Sequence, residues 1–373
     1  MKIGTDFSGI GSPESALKRL GLDIEEVFAC EIDKYARKSF NELHNPNTFY
    51  EDITTRNHSE VPQLELYVAG FPCQSFSMAG KRGGFEDTRG TLFFNVAEFI
   101  KENQPKCFVL ENVKGLLSHD SGKTYQTITD VLTNGGGTLN GQIGIDTIDN
   151  GLGYHVYAKV LNTKDYGIPQ NRERIFLVGF KEPRDFNFPK KMELKLRLKD
   201  LLEADVDDKY YLSDKMIEGF SNHKERHEEK GNGFQWKPKT GNDIANCLRA
   251  NASLCPTDNT IIETNNKRVN KCYNTHKNSL EDGDFMDSYN QTIHKEVSPT
   301  ITTRVTASNS SHIYKTKRIR RLTPLECWRL QGFTDEQFYK AQKVNSDTQL
   351  YKQAGNSITV NVLVELFKKI YTH

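Results

Sequence analysis

The sequence of 373 residues is long enough for one large domain, or for a large and a small one. It contains no apolar run near the ~20 residues that a transmembrane helix needs, which excludes a membrane-spanning protein. Its 50 basic and 49 acidic residues give a net charge of +1, which by itself does not indicate a polyanionic partner.

The cysteine pattern and the N-terminal sequence indicate the cellular compartment of the protein. The seven cysteines are scattered without close pairs, which argues against a disulfide framework and for a reducing environment. The stretch MKIGTDFSGIG lacks the apolar core and cleavage site of a signal peptide. We therefore expect a cytoplasmic protein.

In chain order, the first 180 residues alternate between predicted strands and helices. KIGTDFSGIG predicts a strand that ends in a glycine-rich turn, and SPESALKRLG predicts a helix with Ser12 as cap, Pro13 at its first position and Gly21 as stop. The strands IEEVFACEID and LELYVAGFP follow, then the helix TLFFNVAEFIKENQP and the strand KCFVLENV. YHVYAKVLN and RIFLVGF are further strand candidates.

This alternation predicts an α/β fold with an open, mostly parallel, doubly wound sheet that helices cover on both faces. Ligands of such sheets bind beyond the carboxyl ends of the strands. The first turn, Glu31, Cys73 and Glu111 all fall at such ends, so we expect the functional site there.

The composition changes near residue 181. Residues 181–316 are rich in Asn, Thr, Ser, Lys and Asp, with short β-like pieces and no long amphipathic helix. DIANCLRANASLCPTDNTII and VSPTITTRVTASNSSHIY resemble one another, either as two related hairpins or by chance. We predict a small, loop-rich, β-containing domain here. The tail AGNSITVNVLVELFKKIY predicts a Gly-Asn turn and an apolar helix that packs back on the first domain.

The first turn and two carboxylates suggest a nucleoside site. The backbone N–H groups of DFSGIGS could bind the anionic end of a ligand, although a GxG turn without a third glycine is common in other contexts. Glu31 has the position of a carboxylate that holds ribose hydroxyls, and Asp52 could accept a hydrogen bond from an exocyclic amine. No basic residue serves the turn, so an adenosine-bearing ligand fits better than a two-phosphate one.

Catalytic candidates follow two further strands. Cys73 begins a loop that carries Lys81 and Arg82, and these cations could favour its thiolate; the alternative is an inert residue in a turn. Glu111 could be a carboxyl with a raised pKa in a cleft, or an exposed strand-end residue. Arg172 and Arg174 have the spacing of two side chains on one side of a strand and could hold an anion, or lie on the surface.

Two other patterns could be either binding sites or ordinary solvated surface. The basic run KTKRIRR (315–321) could bind an anion or be a solvated face. His223 and His227 have i,i+4 spacing in HKERH, but charges surround them, which favours a solvated helix face over a metal site. We expect no metal.

Together these stretches resemble the bacterial and phage DNA (cytosine-5)-methyltransferases over nearly the whole chain outside 181–316. GFPCQSFS resembles the family's nucleophile motif, ENV (111–113) its base-contacting motif, and QNRERIFLVG its arginine motif. RRLTPLECWRLQGF resembles the motif that supports the recognition domain, and QAGNSITVN the closing motif beside the cofactor. The five motifs stand in the family's order.

The resemblance implies a Rossmann-like enzyme that transfers a methyl group from S-adenosylmethionine to C5 of cytosine in a specific double-stranded DNA sequence, leaving S-adenosylhomocysteine. Cys73 would bond transiently to C6 of a base flipped out of the duplex, and Glu111 would hold its N3 edge. Arg172 and Arg174 would orient Glu111 and the base. The implied cofactor residues are Phe7, Gly9, Gly11, Glu31, Ile32, Asp52, Ile53, Pro72, Leu92 and Asn356.

DNA contacts are expected from two segments. The loop after Cys73 would close over the phosphates, and SPTITTR resembles the family's threonine-containing recognition segment, the alternative being an ordinary Thr-rich strand. The candidates are Gln74, Ser77, Lys81, Arg82, Arg89, Thr300, Thr302 and Arg304.

The resemblance also implies a domain plan. Residues 1–180 would form the catalytic and cofactor-binding domain, 181–316 the target-recognition domain, and 317–373 a supporting segment with a C-terminal helix. We expect a monomer in a bacterial or phage-infected cell, with double-stranded DNA as partner and a cognate restriction endonuclease as a functional rather than physical one.

Two departures from the family pattern concern the cofactor: Asp6 lies one place nearer Phe7 than is usual, and Ile32 stands where an aromatic residue is often found. An RNA methyltransferase acting on tRNA, and a catalytically inactive DNA-binding protein, are the competing interpretations. GFPCQSFS and the sizeable variable domain favour DNA, and retention of Cys73, Glu111 and both arginines favours an active enzyme.

Overall fold

The computed structural model describes residues 1–72, 92–134, 151–229, 231, 236–250, 253–263 and 318–371, and the backbone alone of 285–287, 292–294 and 312–313. The chain forms two compact units. The first contains Met1–Leu196, Asn246–Ala252 and Cys327–His373, and the second contains Arg197–Ala245 and Ser253–Glu326.

A seven-stranded sheet forms the centre of the first unit. Its strands are β1 (Lys2–Asp6), β2 (Glu25–Cys30), β3 (Thr48–Tyr50), β4 (Leu66–Ala69), β5 (Cys107–Val113), β6 (His155–Asn162) and β8 (Glu173–Phe180), with the two-residue β7 (Gln170–Asn171) just before β8. The order is β3-β2-β1-β4-β5-β8-β6. Strands β1 to β5 are parallel, and β8 runs antiparallel to β5 and β6. The mostly parallel α/β sheet is confirmed.

Strand order reverses between β1 and β4. From β1 the chain moves outward through β2 to β3, whereas from β4 it moves the other way to β5. Because parallel crossovers are right-handed, the helices of these two halves cover opposite faces of the sheet. The carboxyl ends of β1 and β4 therefore border a crevice, where sheets of this kind bind their ligands.

Eight α-helices of the described residues belong wholly or partly to the first unit. They are α1 (Ser12–Arg19), α2 (Lys34–Leu43), α3 (Leu92–Asn103), α4 (Lys123–Leu132) and, after α5 of the second unit, α6 (Pro324–Arg329), α7 (Asp335–Gln342), α8 (Asp347–Asn356) and α9 (Val360–Tyr371). The C-terminal helix α9 packs against α1, as its apolar sequence predicts.

An aromatic cluster fills the core under the central strands. The ring centroids of Phe28 and Phe99 are 5.4 Å apart, and those of Tyr67 and Phe99 are 4.7 Å apart. Gly179 on β8 leaves space for the ring of Phe108 on the neighbouring β5, because a Cβ at position 179 would lie 2.1 Å from that ring. Burial of these large apolar groups is the main stabilising term of the unit.

The second unit is smaller and irregular. Its elements are α5 (Asp214–Glu229), β9 (Ala245–Asn246, whose second residue lies in the first unit), β10 (Thr260–Glu263), β11 (Phe285–Asp287), β12 (Thr292–His294), β13 (His312–Ile313) and β14 (Arg318–Arg321). Strand β10 pairs antiparallel with β14, and β11 pairs antiparallel with β12 and β13. The guanidinium of the fully buried Arg320 donates to both carboxylate oxygens of Glu326, at 2.8 Å each.

Local details differ from four predictions. The cap of α1 is Gly11, at a φ of 81°, and Ser12 is the first helical residue. Gly355 and Asn356 end α8 instead of forming a turn. Residues 214–229 form a 16-residue helix where no long helix is expected, and none of its side chains is buried. Finally, β10 pairs with β14 rather than with β9 in a hairpin.

No helix within the described ranges is both long and apolar enough to cross a bilayer.

We predict that Gly179→Ala destabilises the protein by about 1–3 kcal/mol, because the new methyl group would collide with the Phe108 ring. Gly115→Ala is the matched control, since a Cβ there would meet its nearest neighbour at 3.9 Å. Urea unfolding of both variants measures the difference. Equal unfolding midpoints would contradict the tight packing of β5 on β8.

Candidate functional site

A pocket opens at the crevice between β1 and β4. It is lined by residues 5–10 and 12–13 of the first strand, turn and helix, by Val68 of β4 and Gly70 just after it, by Glu111 of β5, and by residues 356–358. A Cβ on Gly70 would lie 3.5 Å from Glu111 Oε2, so glycine keeps this wall open. The first turn and Glu111 are thus brought together, as expected from their strand-end positions, and Asn356 at the end of α8 lines the same pocket.

The first turn has a strained backbone. Phe7 has a φ of 55°, which is rare for a residue with a side chain, and Gly9 and Gly11 have φ of 57° and 81°. Ser8 stabilises this path, because its N–H donates to Cys30 O at 3.0 Å and its hydroxyl accepts from Cys30 N at 2.9 Å. Strain of this kind is concentrated at ligand sites.

Glu31 supports the turn from the end of β2. Its Oε2 accepts from Gly9 N at 2.9 Å and its Oε1 accepts from Asp33 N at 2.8 Å. Burial raises the pKa of Glu31, and these backbone hydrogen bonds oppose the shift. Each carboxylate oxygen retains a lone pair with which to accept a ligand hydroxyl.

The other predicted cofactor residues surround this turn at different depths. Asp52 follows β3 and accepts from Thr54 N at 2.9 Å, capping the short 3-10 helix Ile53–Thr55, and Ile53 is buried in the core. Ile32 is 74% exposed. Leu92 is half-buried against the core, while Pro72 and Asn356 are exposed.

Glu111 lies near the end of β5 and pairs with an arginine of the antiparallel neighbour. Arg174 Nε is 3.1 Å from Glu111 Oε1. Burial raises the pKa of Glu111, and the charges of Arg174 and Arg172 act in the opposite direction. The next residue, Asn112, donates through Nδ2 to Phe71 O at 2.9 Å and thereby ties β5 to the segment that leads to Cys73.

Arg172 has a different environment from Arg174. It lies between β7 and β8 rather than within one strand, and its guanidinium is nevertheless near that of Arg174, because both approach the Sγ atom of Cys247. Its Nη1 donates to Leu248 O at 3.1 Å, and its Nη2 donates to Gly355 O and Ser357 O at 3.0 and 2.9 Å. Arg172 therefore joins two distant backbone segments beside the pocket.

Cys247 is a neighbour of the site that sequence reasoning missed. Its Sγ accepts from Arg172 Nη1 at 3.3 Å and is 3.8 Å from Arg174 Nη2. The adjacent backbone packs closely on Gly355, where a Cβ would lie 2.4 Å from Ala250 N. Nothing in the local sequence CLRAN pointed to this thiol.

The remaining predicted residues lie outside the described ranges. These are Cys73 and the DNA-binding candidates Gln74, Ser77, Lys81, Arg82, Arg89, Thr300, Thr302 and Arg304. His223 and His227 are described, and their rings stack with centroids 4.3 Å apart on α5. Among described residues, no group of three or more His, Cys, Asp or Glu side chains could hold a metal ion.

Known proteins that are similar to this chain are methyltransferases. The family model for C-5 cytosine-specific DNA methylase matches residues 1–372. The orphan methyltransferase M.SPRI of Bacillus phage SPR is 34% identical over 447 aligned positions, covering 99% of this chain and 97% of that protein. The type II methyltransferase M.HpaII of Haemophilus parainfluenzae is 37% identical over 371 positions, covering 98% and 87%.

Two solved structures support the fold. The S. pombe Dnmt2 methyltransferase has a TM-score of 0.67 at 17% identity, covering 98% of this chain and 97% of that one. The Entamoeba histolytica methyltransferase EhMeth has a TM-score of 0.60 at 16% identity, covering 100% and 98%. The chain therefore belongs to the C-5 cytosine-specific DNA methylase family and is an S-adenosylmethionine-dependent DNA cytosine-5-methyltransferase.

Proposed function

We propose that this enzyme methylates a cytosine that it flips out of a specific double-stranded DNA sequence, through a transient bond between Cys73 and C6 of the base. The observation that carries the proposal is the ion pair between the buried Glu111, which lines the pocket of the first turn, and the partly buried Arg174. The chain of β4 runs from that pocket through Phe71 and Pro72 into Cys73.

The pocket suits S-adenosylmethionine. In the first turn the N–H groups of Ser8 and Gly9 are used within the protein. Glu31 keeps lone pairs for ribose hydroxyls, and Gly70 leaves the wall beside Glu111 open. We assign Phe7, Gly9, Gly11, Glu31 and Asp52 to this cofactor, with the remaining set Ile32, Ile53, Pro72, Leu92 and Asn356 around it. When bound, the cofactor supplies an activated methyl group.

Cys73 and Glu111 act on different atoms of the base. The Cys73 thiolate adds to C6, while a protonated Glu111 donates a hydrogen bond to N3, so that electron density reaches C5. Once C5 carries the methyl group, it gives its proton to a water molecule, the C5–H electron pair forms the C5–C6 double bond, and the Cys73 sulfur departs as a thiolate, which restores the ring. A base stacked in a duplex is out of reach of such groups, so the base must be extruded.

The electrostatics of Glu111 favour this role. A carboxyl that is buried is held more readily in its neutral form, which can donate to N3, and Arg174 directs its other oxygen. Arg172 contributes in a different way: it fixes the backbone of Leu248, Gly355 and Ser357 around the site.

Sequence recognition is assigned to residues 181–316, with 317–373 as support and 1–180 as the catalytic domain. Thr300, Thr302 and Arg304 are proposed to contact the target, and Gln74, Ser77, Lys81, Arg82 and Arg89 the DNA around the extruded base. We propose a monomer. The name of M.HpaII as a type II methyltransferase supports a restriction endonuclease as functional partner.

We predict that Cys73→Ala abolishes methyl transfer but leaves DNA binding intact, because only the nucleophile is lost. Duplex DNA containing 5-fluorocytosine at the target should trap the wild-type enzyme covalently in the presence of the methyl donor, since fluorine at C5 cannot leave as a proton does. Cys255→Ala, which alters a half-buried cysteine of the second unit, is the control and should be trapped like the wild type. Undiminished methylation by Cys73→Ala would refute the mechanism.

Arg172 and Arg174 should respond differently when each is replaced by lysine. Arg172→Lys removes a guanidinium that serves several acceptors and is expected to lower the free energy of unfolding by about 3 kcal/mol. Arg174→Lys should leave stability nearly unchanged and lower kcat by about 100-fold, because Glu111 is misplaced. Urea unfolding and single-turnover kinetics measure the two effects. If Arg172→Lys mainly lowered kcat and Arg174→Lys mainly lowered stability, the roles assigned to the two arginines would have to be interchanged.

Glu111 should also affect stability with a defined sign. Its pKa is raised in the folded state, so its contribution to stability is present at low pH and lost as pH rises through that pKa. Relative to wild type, Glu111→Gln should therefore become more stable as pH rises from the ordinary range of a glutamate carboxyl through the raised pKa of Glu111. Glu42→Gln on the exposed face of α2 is the control. Parallel pH profiles for wild type and Glu111→Gln in urea unfolding would show that Glu111 does not titrate abnormally.

A further inference from the structure

A fully buried ion pair lies under the first turn. Arg56 Nη1 donates to Asp6 Oδ1 at 2.5 Å and Arg56 Nη2 donates to Asp6 Oδ2 at 2.8 Å. Tyr67 adds a third hydrogen bond through its hydroxyl, 2.6 Å from Asp6 Oδ2. Neither side chain of the ion pair is exposed to solvent. Asp6 is the residue whose position departs from the usual family pattern.

The surroundings of the pair are aromatic. The Arg56 guanidinium carbon is 4.4 Å from the ring centroid of Phe28 and 4.3 Å from that of Phe99. Two buried charges in such a place are no more stabilising than well-packed apolar side chains would be, because desolvation offsets their attraction. A contribution to stability therefore does not explain why the pair is present. A role in fixing the positions of the segments that it joins explains it better.

The pair joins two segments that are far apart in sequence. Asp6 ends β1, lines the pocket and directly precedes the strained Phe7. Arg56 directly follows the 3-10 helix Ile53–Thr55, which Asp52 caps. In the sheet, β2 separates β1 from β3, after which the Arg56 segment begins. The ion pair thus spans one intervening strand and holds the two segments at a set distance.

We propose that Arg56 is a positioning residue for the nucleoside part of the cofactor: its bidentate bond to Asp6 holds Asp52 and Ile53 at the correct distance from the Phe7 turn. This inference rests on the proposed cofactor site. The planar guanidinium fixes both distance and angle, which a single point charge or an apolar contact would not do.

The test compares two variants of the full-length enzyme. Arg56→Met removes the cation but leaves the Asp6 charge buried, so it is the variant at risk of misfolding. The double variant Asp6→Asn, Arg56→Met removes both charges and is expected to fold. Isothermal titration with S-adenosylmethionine and with 5′-methylthioadenosine gives the Kd values, circular dichroism verifies folding, and initial rates separate kcat from KM.

We expect the Kd of the folded double variant for S-adenosylmethionine to rise about 10- to 100-fold, as for a site whose supporting groups are displaced. The Kd for 5′-methylthioadenosine, which lacks the amino-acid part, should rise by the same factor. The value of kcat at saturating cofactor should fall far less, and the KM for DNA should not change. A merely structural role would not produce this separation.

The control is a second buried arginine with a bidentate carboxylate, Arg320 with Glu326. Arg320→Met, Glu326→Gln should leave the Kd for S-adenosylmethionine at the wild-type value. An unchanged Kd in the folded Asp6–Arg56 double variant, an equal loss in the control, or a loss confined to S-adenosylmethionine would each overturn the inference. Failure of the wild-type enzyme to bind S-adenosylmethionine would instead refute the proposed cofactor site.

Discussion

The reversal of strand order between β1 and β4 is the constraint on which the rest of the molecule depends. Parallel strands end at a common edge, and the reversal of strand order opens a crevice there. The antiparallel β8 begins at the same edge, so Arg174 lies opposite Val113, close to Glu111. Groups from five parts of the chain therefore meet around one pocket.

Charge is buried at this edge in three different ways. Glu111 faces one arginine, and burial raises its pKa. Arg172 donates to neutral backbone carbonyls and so organises the backbone, while its charge also favours the ionised form of Glu111. Asp6 and Arg56 neutralise each other between aromatic rings. Because buried charge is costly, such groups are concentrated where position matters more than stability.

Several features of this chain followed from local sequence and several did not. Strand and helix alternation predicted the sheet, and strand-end positions predicted that the first turn and Glu111 share a pocket. The cap of α1 was misplaced by one residue, because Gly11 tolerates a left-handed backbone that places the helix start earlier. The long helix α5 was missed because no side chain on it is buried, so it has no apolar stripe.

The sequence by itself determined the order of elements, the strand ends that carry the candidate residues, and the family, since periodicity and motifs are local properties. Only the tertiary structure decided which arginine faces Glu111, that Cys247 lies beside both arginines, and that Asp6 is paired with Arg56. These are contacts between segments that are distant in sequence. Their partners are selected by strand register and burial, which no spacing along the chain encodes.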